Sequence, residues 1–221
     1  MKIQIYSAQA PEEAAALFDI GVDHVGFTAA NIGLPGEISL ETGRAIAQKS
    51  GDKTCVALSV SSDLDEIVSM VDYIQPDILH LCGLEGELRP DAVGLLRQRI
   101  SIPIMQAISV AGPEAVDAAL SYEPVSDFII LDTQDPDIDG IGASGTTHDW
   151  NISREIVQRV NIPVILAGGL GPENVYEAAS FVRPWGVDSL THTNLQTATD
   201  GFRKDFALVK AFIEEAKKAG V

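Results

Sequence analysis

Short runs rich in β-branched residues alternate along this chain with longer stretches in which apolar positions recur three and four apart. Alternating periods of two and 3.6 are what repeated βα units produce when a parallel sheet is buried beneath helices. Eight such pairs can be read, with strands predicted at 2–7, 24–28, 53–59, 77–82, 103–107, 127–132, 163–167 and 186–190. Helix starts are marked by Pro11 before Glu12 and Glu13, Asp63 before Leu64-Asp65-Glu66, Pro113-Glu114, and Pro172-Glu173 after a glycine-rich turn. Eight units in 221 residues leave little room for a second domain, so the pattern predicts one (β/α)8 TIM barrel over 1–221. The runner-up is an open α/β sheet, which would leave the two strand edges that a barrel closes.

Composition adds limits. With 46% hydrophobic residues the chain can bury a sizeable core. No apolar run reaches the length of roughly 18 residues needed to span a bilayer, and Met1-Lys2-Ile3-Gln4 does not open a signal peptide; the expected location is the cytoplasm. A formal charge of −17, from 32 acidic against 15 basic residues, repels nucleic acid and anionic membranes, so neither is expected as a partner. An anionic substrate must then be held by short-range devices such as backbone N–H groups. Cys55 and Cys82 fall at opposite ends of neighbouring predicted strands, which argues against a disulfide.

Barrels of this kind place their chemistry at the C-terminal ends of the strands. Strand 6 ends in Phe128-Ile129-Ile130-Leu131-Asp132-Thr133, and alternation turns Asp132 toward the barrel axis. It reads either as a desolvated general acid or as the cap of the next turn. Strand 4 turns His80 and Cys82 inward. Cys82 reads as a nucleophile or base, and the competing reading is an interior histidine beside a small apolar thiol. Gln4 and Tyr6 on strand 1 and Gln106 on strand 5 are expected to complete a neutral polar layer inside the barrel. Tyr6 lies at the mouth but has an intrinsic pKa of about 10.

The sharpest signal follows strand 7. Ala167-Gly168-Gly169-Leu170-Gly171-Pro172-Glu173-Asn174 joins glycines that allow close backbone approach to a helix start, and strand 8 is followed by Thr191-His192-Thr193-Asn194. Loops after the seventh and eighth strands commonly bind phosphate. The expected ligand is therefore a small phosphorylated substrate, with Gly168, Gly169, Thr191, His192, Thr193 and Asn194 around the phosphate. The stretch from Thr133 to Asn151, containing Gly140, Gly142 and Gly145, reads as a substrate-covering loop. His24 and His148 read as packing or solvent-facing residues. No repeated ligand spacing marks a metal site, and no cofactor is called for.

These residues resemble the phosphoribosylanthranilate isomerase family. The likeness rests on Ile162-Pro163-Val164-Ile165-Leu166-Ala167-Gly168-Gly169-Leu170, Pro172-Glu173-Asn174-Val175 and Val182-Arg183-Pro184-Trp185-Gly186-Val187-Asp188. Leu131-Asp132-Thr133, Gly145-Thr146-Thr147-His148-Asp149-Trp150 and Lys204-Asp205 add to it. The resemblance implies an aldose-to-ketose Amadori rearrangement with Asp132 as general acid, and it adds Gly145 and His80 to the substrate-binding set. Where the family has a Cys base this chain has Tyr6, and where it has the Arg that meets the anthranilate carboxylate this chain has Gly36. The base is then expected to be Cys82 or Tyr6, and turnover of the family's substrate to be weak or lost. On that basis, restoring Cys at 6 and Arg at 36 should raise it. The alternatives are a phosphate-binding regulatory barrel without catalysis, or a lyase or epimerase with the same anchor. The oligomeric state is not legible.

Overall fold

A computed structural model describes residues 1–83, 86–133, 147–195 and 202–220. The first half runs β1 (Lys2–Ile5), α1 (Pro11–Asp19), β2 (His24–Thr28), α2 (Leu40–Ser50), β3 (Thr54–Ser59), α3 (Leu64–Ile74), β4 (Ile78–Leu81) and α4 (Pro90–Arg97). The second runs β5 (Ile104–Ser109), α5 (Glu114–Tyr122), β6 (Phe128–Asp132), α6 (Trp150–Arg159), β7 (Val164–Leu166), α7 (Val175–Val182), β8 (Gly186–Ser189) and α8 (Phe206–Lys218). Every neighbouring pair is parallel, and β1 pairs with β8, so the sheet closes as the barrel expected from the sequence.

Local chemistry explains the punctuation. Asp63 caps α3 by accepting from the N–H groups of Asp65 and Glu66, and Asp205 caps α8 through those of Ala207 and Leu208. An aspartate also precedes β2, β4 and β6, and each accepts an N–H at the start of the strand before its own. The pairs are Asp23 with Ile3 at 2.9 Å, Asp77 with Cys55 at 2.8 Å and Asp127 with Ile104 at 2.9 Å. These carboxylates satisfy donors at the bottom of the barrel that strand pairing leaves open. One boundary differs: α7 starts at Val175 behind Asn174 rather than at Pro172, because Asn174 folds back to accept from Gly171 N–H and donate to Gly169 C=O.

Outward-facing strand residues such as Ile3, Val25, Leu79, Leu81, Ile104 and Leu131 join the helices in the main core. Inside the barrel a smaller cluster includes Tyr6, Val56, Cys82, Met105, Ile130 and Ile165. At its lower end, His24 lies among Phe128 and Trp185 with Nδ1 3.2 Å from Gln4 Oε1, and burial lowers its pKa to about 4. The expected interior place of Gln106 is corrected. Register pairs His80 with Met105 and Leu81 with Gln106, so Gln106 faces the helices and Met105 takes the interior position.

Candidate functional site

The C-terminal ends of β6, β7 and β8 enclose a narrow cleft lined by Asp132, Gly168, Gly169, Leu170, Asp188, Ser189, Leu190, Thr191 and His192. Two loops shape it. Gly168 and Gly169 have φ of 82° and 60°, in the left-handed region that side chains seldom adopt. A Cβ on Gly168 would lie 2.8 Å from both His148 Nδ1 and Thr133 Oγ1, so glycine is also needed for close packing there. The second loop is a 3-10 turn, Thr191–Thr193, pressed so near that a Cβ on Gly171 would lie 2.8 Å from the Cβ of His192. Among the described residues the N–H groups of Gly169, Leu170 and Thr191 make no hydrogen bond with the protein. Donors exposed in this way, from backbone that closes tightly, suit an anion.

The expected phosphate residues divide. Gly168, Gly169, Thr191 and His192 line the cleft. Thr193 and Asn194 are corrected: both are buried, and their N–H groups return to Leu190 and Thr191 within the turn. The Thr193 hydroxyl donates to Leu190 C=O, and Asn194 accepts from the Lys204 ammonium. These two residues build the turn from below. His192 Nδ1 is 3.5 Å from Glu173 Oε1. His148 packs between Thr133 and Ser153, with its pKa lowered to about 4 by burial. Gly145, and most of the predicted covering loop, lie outside the described residues.

The acid groups sit above the interior cluster. Asp132 Oδ1 accepts from Thr133 N–H at 2.7 Å, and burial raises its pKa to about 7, opposed in part by that bond. Asp188, on the inner face of β8, was not singled out from sequence. Burial and the charge of Asp132 raise its pKa to about 8, while Gln4 and Lys204 oppose the rise. A signal for it exists, because alternation along Gly186-Val187-Asp188 turns Asp188 to the axis just as it turns Asp132. Lys204, only 2% exposed, has its pKa lowered to about 7 by burial.

Tyr6, His80 and Cys82 lie in the barrel interior, outside the cleft lining. The Tyr6 hydroxyl shares a 2.6 Å hydrogen bond with His80 Nδ1. Burial, then the charges of Asp188, Cys82 and Asp132, pushes Tyr6 well above its ordinary value of 10.0. Tyr6 therefore holds its proton, and the expectation that it could act as base is corrected. His80 is neutral, with its pKa lowered to about 3 by burial, so it is placed to orient Tyr6 rather than to bind phosphate. Cys82 is 4% exposed at the end of β4. Gly36 has φ of 72°, and a Cβ there would collide with the Phe202 ring. A larger cavity of about 550 Å³ opens at the opposite end of the barrel, around Lys2, Asp23, Arg183 and Trp185. Its size exceeds that of the cleft, but the buried acids lie at the other end, where barrels of this class do their chemistry.

Residues 3–215 match the family model described as N-(5'phosphoribosyl)anthranilate (PRA) isomerase. The chain belongs to the phosphoribosylanthranilate isomerase family. N-(5'-phosphoribosyl)anthranilate isomerase of Methanocella arvoryzae is 33% identical over 218 residues, covering 98% of each chain. Phosphoribosylanthranilate isomerase of Thermotoga maritima superposes with a TM-score of 0.83 at 28% identity, over 99% of each chain. Another solved isomerase, with a TM-score of 0.80, 26% identity and 99% of each chain covered, holds reduced 1-(o-carboxyphenylamino)-1-deoxyribulose 5-phosphate. The protein is thus an isomerase of the phosphoribosylanthranilate isomerase type, built on a (β/α)8 barrel. Among the described residues no helix is long and apolar enough to cross a membrane.

Proposed function

We propose that this protein converts a phosphorylated ribosylamine of the N-(5'-phosphoribosyl)anthranilate kind to its ketose, with Asp132 as the general acid. The observation that carries this reading is an inward carboxyl, its pKa raised to about 7 by burial, beside a glycine-built anion site in one cleft. The phosphorylated product analogue bound by a relative supports the same class of ligand. The N–H groups of Gly169, Leu170 and Thr191 hold the phosphate, and His192 borders it. Asp132 gives its proton to the ring oxygen, the C1–O bond breaks, and the nitrogen lone pair forms the protonated Schiff base. A base then takes the C2 proton, and tautomerisation yields the ketose. Of the two bases expected from sequence, Tyr6 keeps its proton and Cys82 lies outside the cleft lining.

The missing Arg at Gly36 removes a charge-assisted contact worth about 1.5–3 kcal/mol, or roughly one to two decades in affinity for a carboxylated aglycone. Turnover of N-(5'-phosphoribosyl)anthranilate is expected, at a kcat/KM depressed by about that factor. Chromatographic separation of aldose and ketose, with purified protein and freshly made substrate, tests this. Absence of any ketose above the uncatalysed rate refutes it.

A further inference from the structure

The rearrangement needs two proton-transfer groups, and the cleft contains two carboxyls. Asp132 and Asp188 both line it, from β6 and β8, and each is turned to the barrel axis. Asp188 is 6% exposed, and its Oδ1 is buried with no hydrogen-bond partner among the described residues. A buried carboxylate oxygen left open costs roughly 1–3 kcal/mol or more, so its retention facing a ligand cleft asks for a role. Neither alternative base lines the cleft: Tyr6 is bound to His80, and Cys82 lies in the interior apolar cluster.

We propose that Asp188 is the general base of this enzyme, taking the C2 proton of the opened Schiff base through its unpartnered oxygen. This rests on the isomerase reading of the site. Asp188 is faced by Gln4 from β1, by Tyr6 above it on the same strand, by Asp132 from β6 and by Lys204 ahead of α8. Gln4 and Lys204 oppose the rise at Asp188, and among the described residues the Thr133 N–H opposes it at Asp132. Two neighbouring carboxyls with raised pKa values titrate as a pair, and near neutrality this pair keeps about one proton. The two values, about 8 for Asp188 and about 7 for Asp132, do not divide the roles; the open Oδ1 of Asp188, facing the cleft, is what assigns it the base role.

The steps balance without a further reactant. Asp132 loses its proton to the ring oxygen. Asp188 takes the C2 proton, the C–H pair forms the C1–C2 double bond, and the C=N pair returns to nitrogen. The resulting enol gives its hydroxyl proton to the Asp132 carboxylate as C1 gains the proton that Asp188 took, so both carboxyls return to their starting states.

The test measures wild type, Asp188→Asn and Asp188→Glu with N-(5'-phosphoribosyl)anthranilate, protonated or deuterated at C2. Binding of reduced 1-(o-carboxyphenylamino)-1-deoxyribulose 5-phosphate reports an intact site. For Asp188→Asn we expect analogue binding within a few-fold of wild type, kcat lowered by about 10² or more, and loss of the ascending limb of the kcat pH profile. For Asp188→Glu we expect partial activity with that limb displaced and an altered C2 isotope effect, which a packing role would not produce. If Asp188→Asn keeps kcat within about threefold and the wild-type pH profile, the assignment is overturned while the isomerase reading stands. A wild-type protein that neither binds the analogue nor forms ketose overturns both.

Discussion

Replacing Asp132 by Asn should make the protein more stable and nearly inactive, and the gain in stability should depend on pH in a defined direction. Burial raises this carboxyl from 3.8 to about 7 in the folded state. Below about pH 4 the folded and unfolded chains both hold the proton, and the residue costs nothing by this route. Between about pH 4 and 7 the unfolded chain ionises while the folded one stays protonated, so stability is lost as pH rises and stays lost above 7. At 1.36 kcal/mol per pKa unit the full penalty is about 4 kcal/mol. Asp132 is only half-buried by surface, so solvent reaching the cleft reduces this to about 2 kcal/mol. Asn keeps an oxygen for the Thr133 N–H and removes the titration. For a chain of this size 2 kcal/mol corresponds to a rise in Tm of about 4–8 °C at pH 8. Urea unfolding at pH 4.5 and pH 8 measures the effect, and isomerisation kinetics should fall by about 10² or more. An equal stability difference at both pH values would show that the carboxyl is not held protonated, and full activity would remove Asp132 from the acid role.

Gly169→Glu places a side chain at φ of 60° and a carboxylate among the cleft N–H groups, so phosphate-dependent binding of the reduced product analogue should be lost by calorimetry while the fold persists. The pair Tyr6→Cys with Gly36→Arg, which the resemblance suggests as a route to higher activity, should instead destabilise the protein: removing the Tyr6 ring opens a cavity costing about 3–5 kcal/mol, and an Arg at 36 must displace Phe202. Adding Phe202→Ala to Gly36→Arg alone should lower KM for N-(5'-phosphoribosyl)anthranilate, and an unchanged KM would count against Phe202 as the obstruction.

The barrel was legible because its evidence is local and repeated: eight period-two runs, each followed by a helical pattern, four of them opened by a Pro or Asp signal. Gly168-Gly169 was legible because a tight turn before a helix demands residues without side chains. Asp132 was legible because alternation along one strand names the face it occupies.

What the sequence by itself determined is therefore the order of elements, the face of most strand residues, and an anion site beside an inward carboxyl. Only the tertiary structure decided what meets what across the barrel. Sequence could not show that Tyr6 would reach His80, 74 positions away, because that bond depends on the stagger between β1 and β4. Nor could it bring Asp132 and Asp188 into one cleft, or place Phe202 against Gly36, since both follow from closure of the sheet and the return of the chain before α8. The slip of one residue in the face of Gln106 has the same origin. A strand's period of two is a local property, but its phase is set by the neighbours with which it pairs.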